Sequence, residues 1–150
     1  MEHYTTTEID ALITRFEAQK LPRKEWTHGA HLVVAIWYNS HYETEQAINL
    51  VRTNITNHNA SVGTPNTDTE GYHETITLFW MRVAKRFLQL HAFDSIAEAC
   101  NALISSKWGT SNYPLEFYST KALFSVHARH NWVDPDLKKL EEIKKAMPSI

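Results

Sequence analysis

The sequence predicts a single all-α domain: a bundle of four longer helices, with additional short helices and a C-terminal helix. Only four glycines occur in 150 residues, which is few for a β-rich fold that needs glycine in its turns. Apolar residues also recur three and four positions apart in most segments, as on one face of a helix. With 43% hydrophobic residues, the chain can bury one core without a disulfide or metal. We therefore expect one domain over residues 1–150.

Threonine N-caps mark the first two predicted helices. Thr7 precedes a helix over about residues 8–20, and Thr27 precedes a second over about residues 28–40. Threonine is a favoured N-cap because its hydroxyl accepts a hydrogen bond from the first helical turn. The first helix carries one apolar stripe, and the second has a wider apolar face.

The longest predicted loop separates the next two helices. A helix over about residues 44–59 is followed by the polar segment 61–71, which contains glycine and proline. Loops of this length often carry function. The next helix, over about residues 72–91, is expected to be the central one because its apolar residues follow a single stripe. That stripe consists of Ile76, Trp80, Val83, Phe87 and Leu90.

The last third of the chain is predicted to be helical in shorter pieces. A helix is expected over about residues 95–106, and two short helical pieces are expected within residues 115–132. Asp134 as N-cap and Pro135 at the first helical position then predict a final helix over about residues 136–146. Its inward residues are expected to be Leu137, Leu140 and Ile143.

Composition and charge argue against several classes of protein. The net charge is −2, and the basic residues are spread out, so nothing indicates a nucleic-acid surface. The polar start of the chain is unlike a secretory signal, and no apolar run approaches the length of a membrane span. A lone cysteine, Cys100, makes no disulfide framework. We expect a cytoplasmic protein whose partner is a small molecule rather than a nucleic acid or a membrane.

Histidines open two of the predicted helices. His28 and His31 lie three residues apart in "EWTHGAHLVVAIWY" and share a helical face. His73 lies on the apolar stripe of "GYHETITLFW", with Glu74 next to it and Thr77 directly below. If these two helices pack side by side and parallel, three imidazoles and a carboxylate converge at one end of the bundle. The positive end of a helix disfavours imidazolium, so histidines there are expected to stay neutral.

Three interpretations of this cluster remain open. His28, His31 and His73 can bind a divalent metal, zinc or iron, leaving Glu74 free to take a proton from bound water. Alternatively, His73 and Glu74 act as a metal-free acid–base pair or bind a ligand. The third interpretation is that the histidines only tie helix ends together. The HxxH spacing lacks the acid of a zincin motif, and a single ExxH spacing, from Glu70, is half of a di-iron motif.

Further polar groups can complete such a pocket. The substrate-binding candidates are Trp26, Thr77, Tyr118, Ser125 and Arg129. Arg129 can clamp a carboxylate or phosphate, or it can form a salt bridge with Asp134 or Asp136. Ser119 and Ser125 also read as N-caps of short helices. His58 and His91 are expected on solvent-facing surfaces.

Three segments, "WTHGAHLVVAIWY", "GYHETITLFW" and "FYSTKALFSVHARHNWVDPDL", together resemble a family of small bacterial proteins without an established activity. The resemblance spans about residues 25–137. It implies that six residues match motif positions of the family: His28, His31, His73, Glu74, Ser125 and Arg129. Lys121 stands where the family pattern more often has arginine, and Glu70 is not part of that pattern.

The sequence therefore favours a small helical protein with a His/Glu pocket at one end of the bundle, acting as a metal-dependent enzyme on a small molecule. One alternative is a non-catalytic module that holds an anionic small molecule against helix N-termini and Arg129. Another is a structural bundle with no site. Both pocket hypotheses require His28, His31 and His73 to face a common cavity. They also require that His73→Ala costs no more than about 1 kcal/mol of stability.

Overall fold

The computed structural model describes residues 2–141 and confirms an all-α bundle, with no β-strand in that range. Short 3-10 helices lie at Arg23–Glu25, Lys107–Gly109 and Tyr113–Glu116. The α-helices are α1 (Thr6–Glu17), α2 (His28–His41), α3 (Thr44–Ser61), α4 (Glu74–Leu90), α5 (Ile96–Ser105), α6 (Thr120–Leu123) and α7 (Val126–His130). None of them is both long enough and apolar enough to cross a membrane.

The helix starts follow from their caps. Thr27 caps α2 as predicted and accepts a hydrogen bond from the Ala30 N–H at 3.1 Å. The cap of α1 is Thr5 rather than Thr7, because Thr5 and Glu8 form a reciprocal capping box. That box satisfies two backbone donors instead of one, so the helix begins two residues earlier than expected.

The end of α1 carries an unusual backbone conformation at Gln19. Its φ is 60°, a left-handed conformation that glycine adopts at much lower cost. The Lys20 N–H donates to the Arg15 carbonyl at 2.8 Å, and the Gln19 N–H donates to the Phe16 carbonyl at 3.1 Å. This pair of bonds is the Schellman arrangement that ends many helices. It turns the chain towards Trp26.

The central helices alternate in direction. Asn54 of α3 donates to the Tyr38 hydroxyl of α2 at 2.9 Å. At one end of the α3–α4 pair Arg52 contacts Glu74, and at the other Lys85 contacts Thr44. Helix α3 is therefore antiparallel to α4, and α2 and α4 run in the same direction, as the histidine hypothesis required. The largest fully buried side chains include Phe16, Tyr38, Phe79 and Phe87.

The prediction for the C-terminal region is wrong in its described part. Residues 132–140 form no helix, and Pro135 does not begin one. Asp136 instead accepts hydrogen bonds from the backbone N–H and the hydroxyl of Ser119, both at 2.7 Å. These bonds hold the segment in an irregular conformation, which leaves Leu137 59% exposed rather than inward. Glu141 is helical, and residues 142–146 of the predicted helix, with Ile143, lie outside the described residues.

Candidate functional site

Carbonyls of three different segments of the described chain hold the three histidine rings, which does not fit the prediction that the rings face one cavity. The Nε2–H of His28 donates to the Gly109 carbonyl at 2.8 Å, and its ring packs edge-on against Trp80. The Nε2–H of His73 donates to the Leu123 carbonyl, also at 2.8 Å. Of the three, only His31 lines the cleft between α2, α3 and α4. Carbonyl acceptors in other elements hold the other two rings away from it.

His73 is the N-cap of α4 and is buried. Its Nδ1 accepts a hydrogen bond from the Ile76 N–H at 3.1 Å, while Nε2 is bound to Leu123. Burial lowers the pKa of His73, which keeps this doubly bonded ring neutral. Both ring nitrogens are used, so His73 has no lone pair for a metal or a substrate proton. Its predicted catalytic and metal-binding roles do not fit this geometry.

Glu74 is the anionic half of an ion pair. Arg52 donates two hydrogen bonds to its carboxylate, from Nε to Oε1 at 3.0 Å and from a terminal nitrogen to Oε2 at 2.6 Å. The Tyr72 hydroxyl donates to Oε1 at 2.6 Å. Burial raises the pKa of Glu74, but the hydrogen bonds from Arg52 and Tyr72 outweigh it, so the net shift is downwards. A carboxylate held in this way is a poor general base, contrary to the predicted role.

The predicted metal-ligand set is not assembled. No group of three or more histidine, cysteine, aspartate or glutamate side chains in residues 2–141 is arranged to hold a metal ion. Two of the three proposed ligands, His28 and His73, instead donate their Nε2 protons to backbone carbonyls. The zinc or iron hypothesis therefore has no ligand cluster in the described part of the chain.

The candidates in the C-terminal segment make structural hydrogen bonds, and those of Arg129 reach the residues just before α4. Buried Tyr118 donates its hydroxyl to the Val133 carbonyl at 2.6 Å. Ser125 is the N-cap of α7, as one alternative predicted. One terminal nitrogen of Arg129 donates to the carbonyls of Gly71 and Tyr72, at 3.0 and 3.3 Å. The predicted salt bridge from Arg129 to an aspartate is not formed within residues 2–141.

Thr77, a predicted substrate-binding residue, lines the cleft together with His31. The rest of the lining is apolar and consists of Val34, Ala35, Val51, Ile55, Ile76, Trp80 and Met81. The cleft holds about 40 Å³ of accessible space, enough for one water-sized group. Burial and the Glu74 carboxylate raise the pKa of the neighbouring Tyr72, while the Thr77 hydroxyl acts in the opposite direction. Thr77 therefore lies between the cleft and the Glu74 ion pair.

His31 is fixed by its surroundings but keeps one nitrogen free. Its Nδ1–H donates to the Thr27 carbonyl at 2.7 Å. Its ring lies 3.8 Å from the Trp26 ring, centroid to centroid, and Trp26 in turn stacks on Phe16 at 4.9 Å. No residue of the described chain hydrogen-bonds Nε2. Burial lowers the pKa of His31 to about 4, so the ring is neutral at physiological pH.

His58 is the residue near this site that the sequence interpretation misplaced. It was expected on a solvent-facing surface, yet it is fully buried, and its Nε2–H donates to the Leu21 carbonyl at 3.0 Å. Its ring lies 5.1 Å from that of Trp26. The signal was present, because Val51, Ile55 and His58 follow the four-then-three spacing of one buried helical face.

Comparison with known proteins adds no relative. No family model matches the chain, and neither a curated protein sequence nor a solved structure matches it significantly. We therefore infer the function of the protein from the geometry of the cleft.

Proposed function

We propose that the protein binds a small, largely apolar molecule in the cleft between α2, α3 and α4, with its polar end against His31 and Thr77. The observation that carries the proposal is the Nε2 atom of His31. The ring is oriented by Thr27 and covered by Trp26, yet the described chain supplies no partner for that nitrogen. Buried or half-buried polar atoms normally have one.

The lining favours an apolar ligand of limited size. Seven of the nine lining residues are apolar, which matches the usual composition of small-molecule sites. The cleft has about 40 Å³ of accessible space, which fits a hydroxyl or methyl group of the ligand. The body of a larger ligand would lie over the partly exposed Ile76 and Thr77 at the edge of the cleft.

A binding function suits these groups better than acid–base catalysis. A histidine with a pKa of about 4 is a weak base at neutral pH. The nearby carboxylate of Glu74 is neutralised by Arg52. We therefore favour a non-catalytic binding role over the metal-dependent enzyme, at a cleft that His31 lines without His28 or His73.

The ligand is proposed to be neutral rather than anionic. The N-terminus of α2 already holds the carboxylate of Glu2, which accepts hydrogen bonds from the Thr27 hydroxyl at 2.6 Å and the Gly29 N–H at 3.1 Å. Arg129 is bonded to backbone carbonyls on another side of α4. Neither cationic feature of the anion hypothesis therefore faces the cleft.

The test is a methyl NMR titration with phenol, whose hydroxyl supplies the polar end that the proposal places against His31 and Thr77. Binding in the cleft should shift the methyl resonances of Val34, Val51, Ile55 and Ile76. Ala35→Val places two extra methyl groups in the cleft and should abolish these shifts. Ala60→Val makes the same change at an exposed position of α3 and should leave them intact. Shifts that are absent, or that persist unchanged in Ala35→Val, contradict the proposal.

A further inference from the structure

We infer that the cleft selects neutral ligands that donate a hydrogen bond, such as an alcohol or phenol hydroxyl, over ligands of the same shape without a donor. This inference rests on the proposed function, since it specifies what binds at that site.

The tautomer of His31 determines this selectivity. Neutral imidazole carries one ring proton, and the 2.7 Å contact with the Thr27 carbonyl places it on Nδ1. Nε2 is then a bare lone pair, which can accept a hydrogen bond but cannot donate one. A ligand donor gains that bond, whereas a ligand that is only an acceptor meets an acceptor.

The surroundings keep the ring in this orientation. The Thr27 carbonyl also accepts from the backbone N–H of His31 at 3.1 Å, within the first turn of α2. A flipped ring would present a carbon to that carbonyl and lose the Nδ1 bond. Trp26 packs over the ring face with the centroids 3.8 Å apart, which further limits rotation. The acceptor is therefore preorganised, so little ordering cost is left for binding.

Thr77 and the balanced charges at the edge of the cleft restrict the proposed ligands to neutral hydroxyl compounds. A ligand hydroxyl that donates to His31 keeps an oxygen able to accept from the Thr77 hydroxyl, which lines the same cleft. The neighbouring charges cancel, because Arg52 and Glu74 form a two-bond ion pair. Neither a cationic nor an anionic ligand gains a counter-charge there.

Phenol and toluene are the probes, because a hydroxyl and a methyl group on the same ring are nearly equal in size. Affinities are measured from the cleft methyl resonances in the wild type and in His31→Leu. We expect phenol to lose about fivefold in affinity in the variant, as for one neutral hydrogen bond. Toluene should lose less affinity than phenol does, because it makes no such bond. In the wild type, phenol but not toluene should shift the Nε2 resonance of His31.

The outcomes separate the two proposals. If both probes move the cleft methyls but lose affinity equally in His31→Leu, and the Nε2 resonance stays fixed, donor selectivity is wrong and the binding site stands. If neither probe moves the cleft methyls, the proposed function itself is wrong. The Nε2 readout uses the wild-type protein, so it decides the question even if His31→Leu folds poorly.

Discussion

The first two turns of α4 face two different environments. Towards α6 and α7, the polar side-chain atoms of His73 and Thr75 are all hydrogen-bonded to backbone groups. Towards α2 and α3, Thr77 and His31 line the cleft, and the Nε2 atom of His31 has no partner from the described chain. We call these the tied side and the cleft side. A structural histidine is therefore distinguished from a candidate ligand-binding one by the hydrogen bonds that its ring makes, rather than by its presence in a motif.

The tied side shows how completely polar groups can be used for structure. The buried Thr75 hydroxyl donates to the Asn131 carbonyl at 2.6 Å and accepts from the Val133 N–H at 3.1 Å. Arg129 adds its bonds to the carbonyls of Gly71 and Tyr72. The sequence motifs single out His73 and Arg129, and the contacts of both residues give them a clear structural use.

The largest expected effect is on the tied side. His73→Ala removes the N-cap of α4 and leaves the Leu123 carbonyl without its donor, so stability should fall by about 3 kcal/mol. This exceeds the limit of about 1 kcal/mol that both pocket hypotheses require. Denaturant unfolding measures the loss, and toluene binding should be unchanged where the variant is folded.

His73→Asn is the matched control, because asparagine is a good N-cap but cannot reach the Leu123 carbonyl in the same way. It should recover about half of the loss. A His73→Ala variant that is as stable as the wild type but no longer binds toluene would reverse the assignment of the two sides.

The next effect is a loss of stability in acid. The folded-state pKa of His31 is about 4 and that of His73 is also lowered, whereas unfolded histidine titrates near 6.5. Between these values the unfolded chain binds more protons than the native one, so stability falls as pH falls from about 6.5 towards 4. For His31 the slope approaches about 1.4 kcal/mol per pH unit, and His73 contributes in the same direction. Unfolding measured at several pH values should give a shallower slope for His31→Leu, and an unchanged slope would count against a depressed pKa at this residue.

The smallest expected effect lies outside both sides, in the turn that leads to Trp26. Gln19→Gly relieves the left-handed backbone at φ 60° and should stabilise the protein by about 0.5–1 kcal/mol. Toluene affinity should not change, because Gln19 does not line the cleft. Thermal unfolding measures the gain, and Lys20→Gly serves as a control, since it adds a glycine at the next position. A destabilised Gln19→Gly would show that the turn owes its geometry to something other than backbone preference.

Much of the fold follows from the sequence because helices are encoded locally. The Thr27 cap and the apolar spacing of α4 identified those helices before any tertiary contact was known. The C-terminal region failed for the opposite reason. Asp134 and Pro135 are good local start signals, but the contact between Asp136 and Ser119, seventeen residues apart, overrides them. A contact between residues so far apart produces no periodic pattern in the sequence.

The site was predictable only in part. The sequence identifies His31, Thr77 and Trp26 as candidates, and the histidine hypothesis requires α2 and α4 to run parallel, as they do. Spacing along a helix shows which face a histidine occupies, but it does not show which distant carbonyl its ring reaches. Gly109 and Leu123 lie 81 and 50 residues from the histidines they bind. The choice between structural and ligand-binding histidines therefore required the tertiary structure.

The most direct test of the comparison is the tautomeric state of the two histidines in the free protein at neutral pH. Long-range proton–nitrogen NMR correlations distinguish a protonated ring nitrogen from a bare one. We expect opposite tautomers: His31 protonated on Nδ1 with Nε2 bare, and His73 protonated on Nε2 with Nδ1 accepting from the helix. Finding His31 protonated on Nε2, or finding both rings in the same tautomer, would contradict the inference that the cleft side offers a free acceptor and the tied side does not.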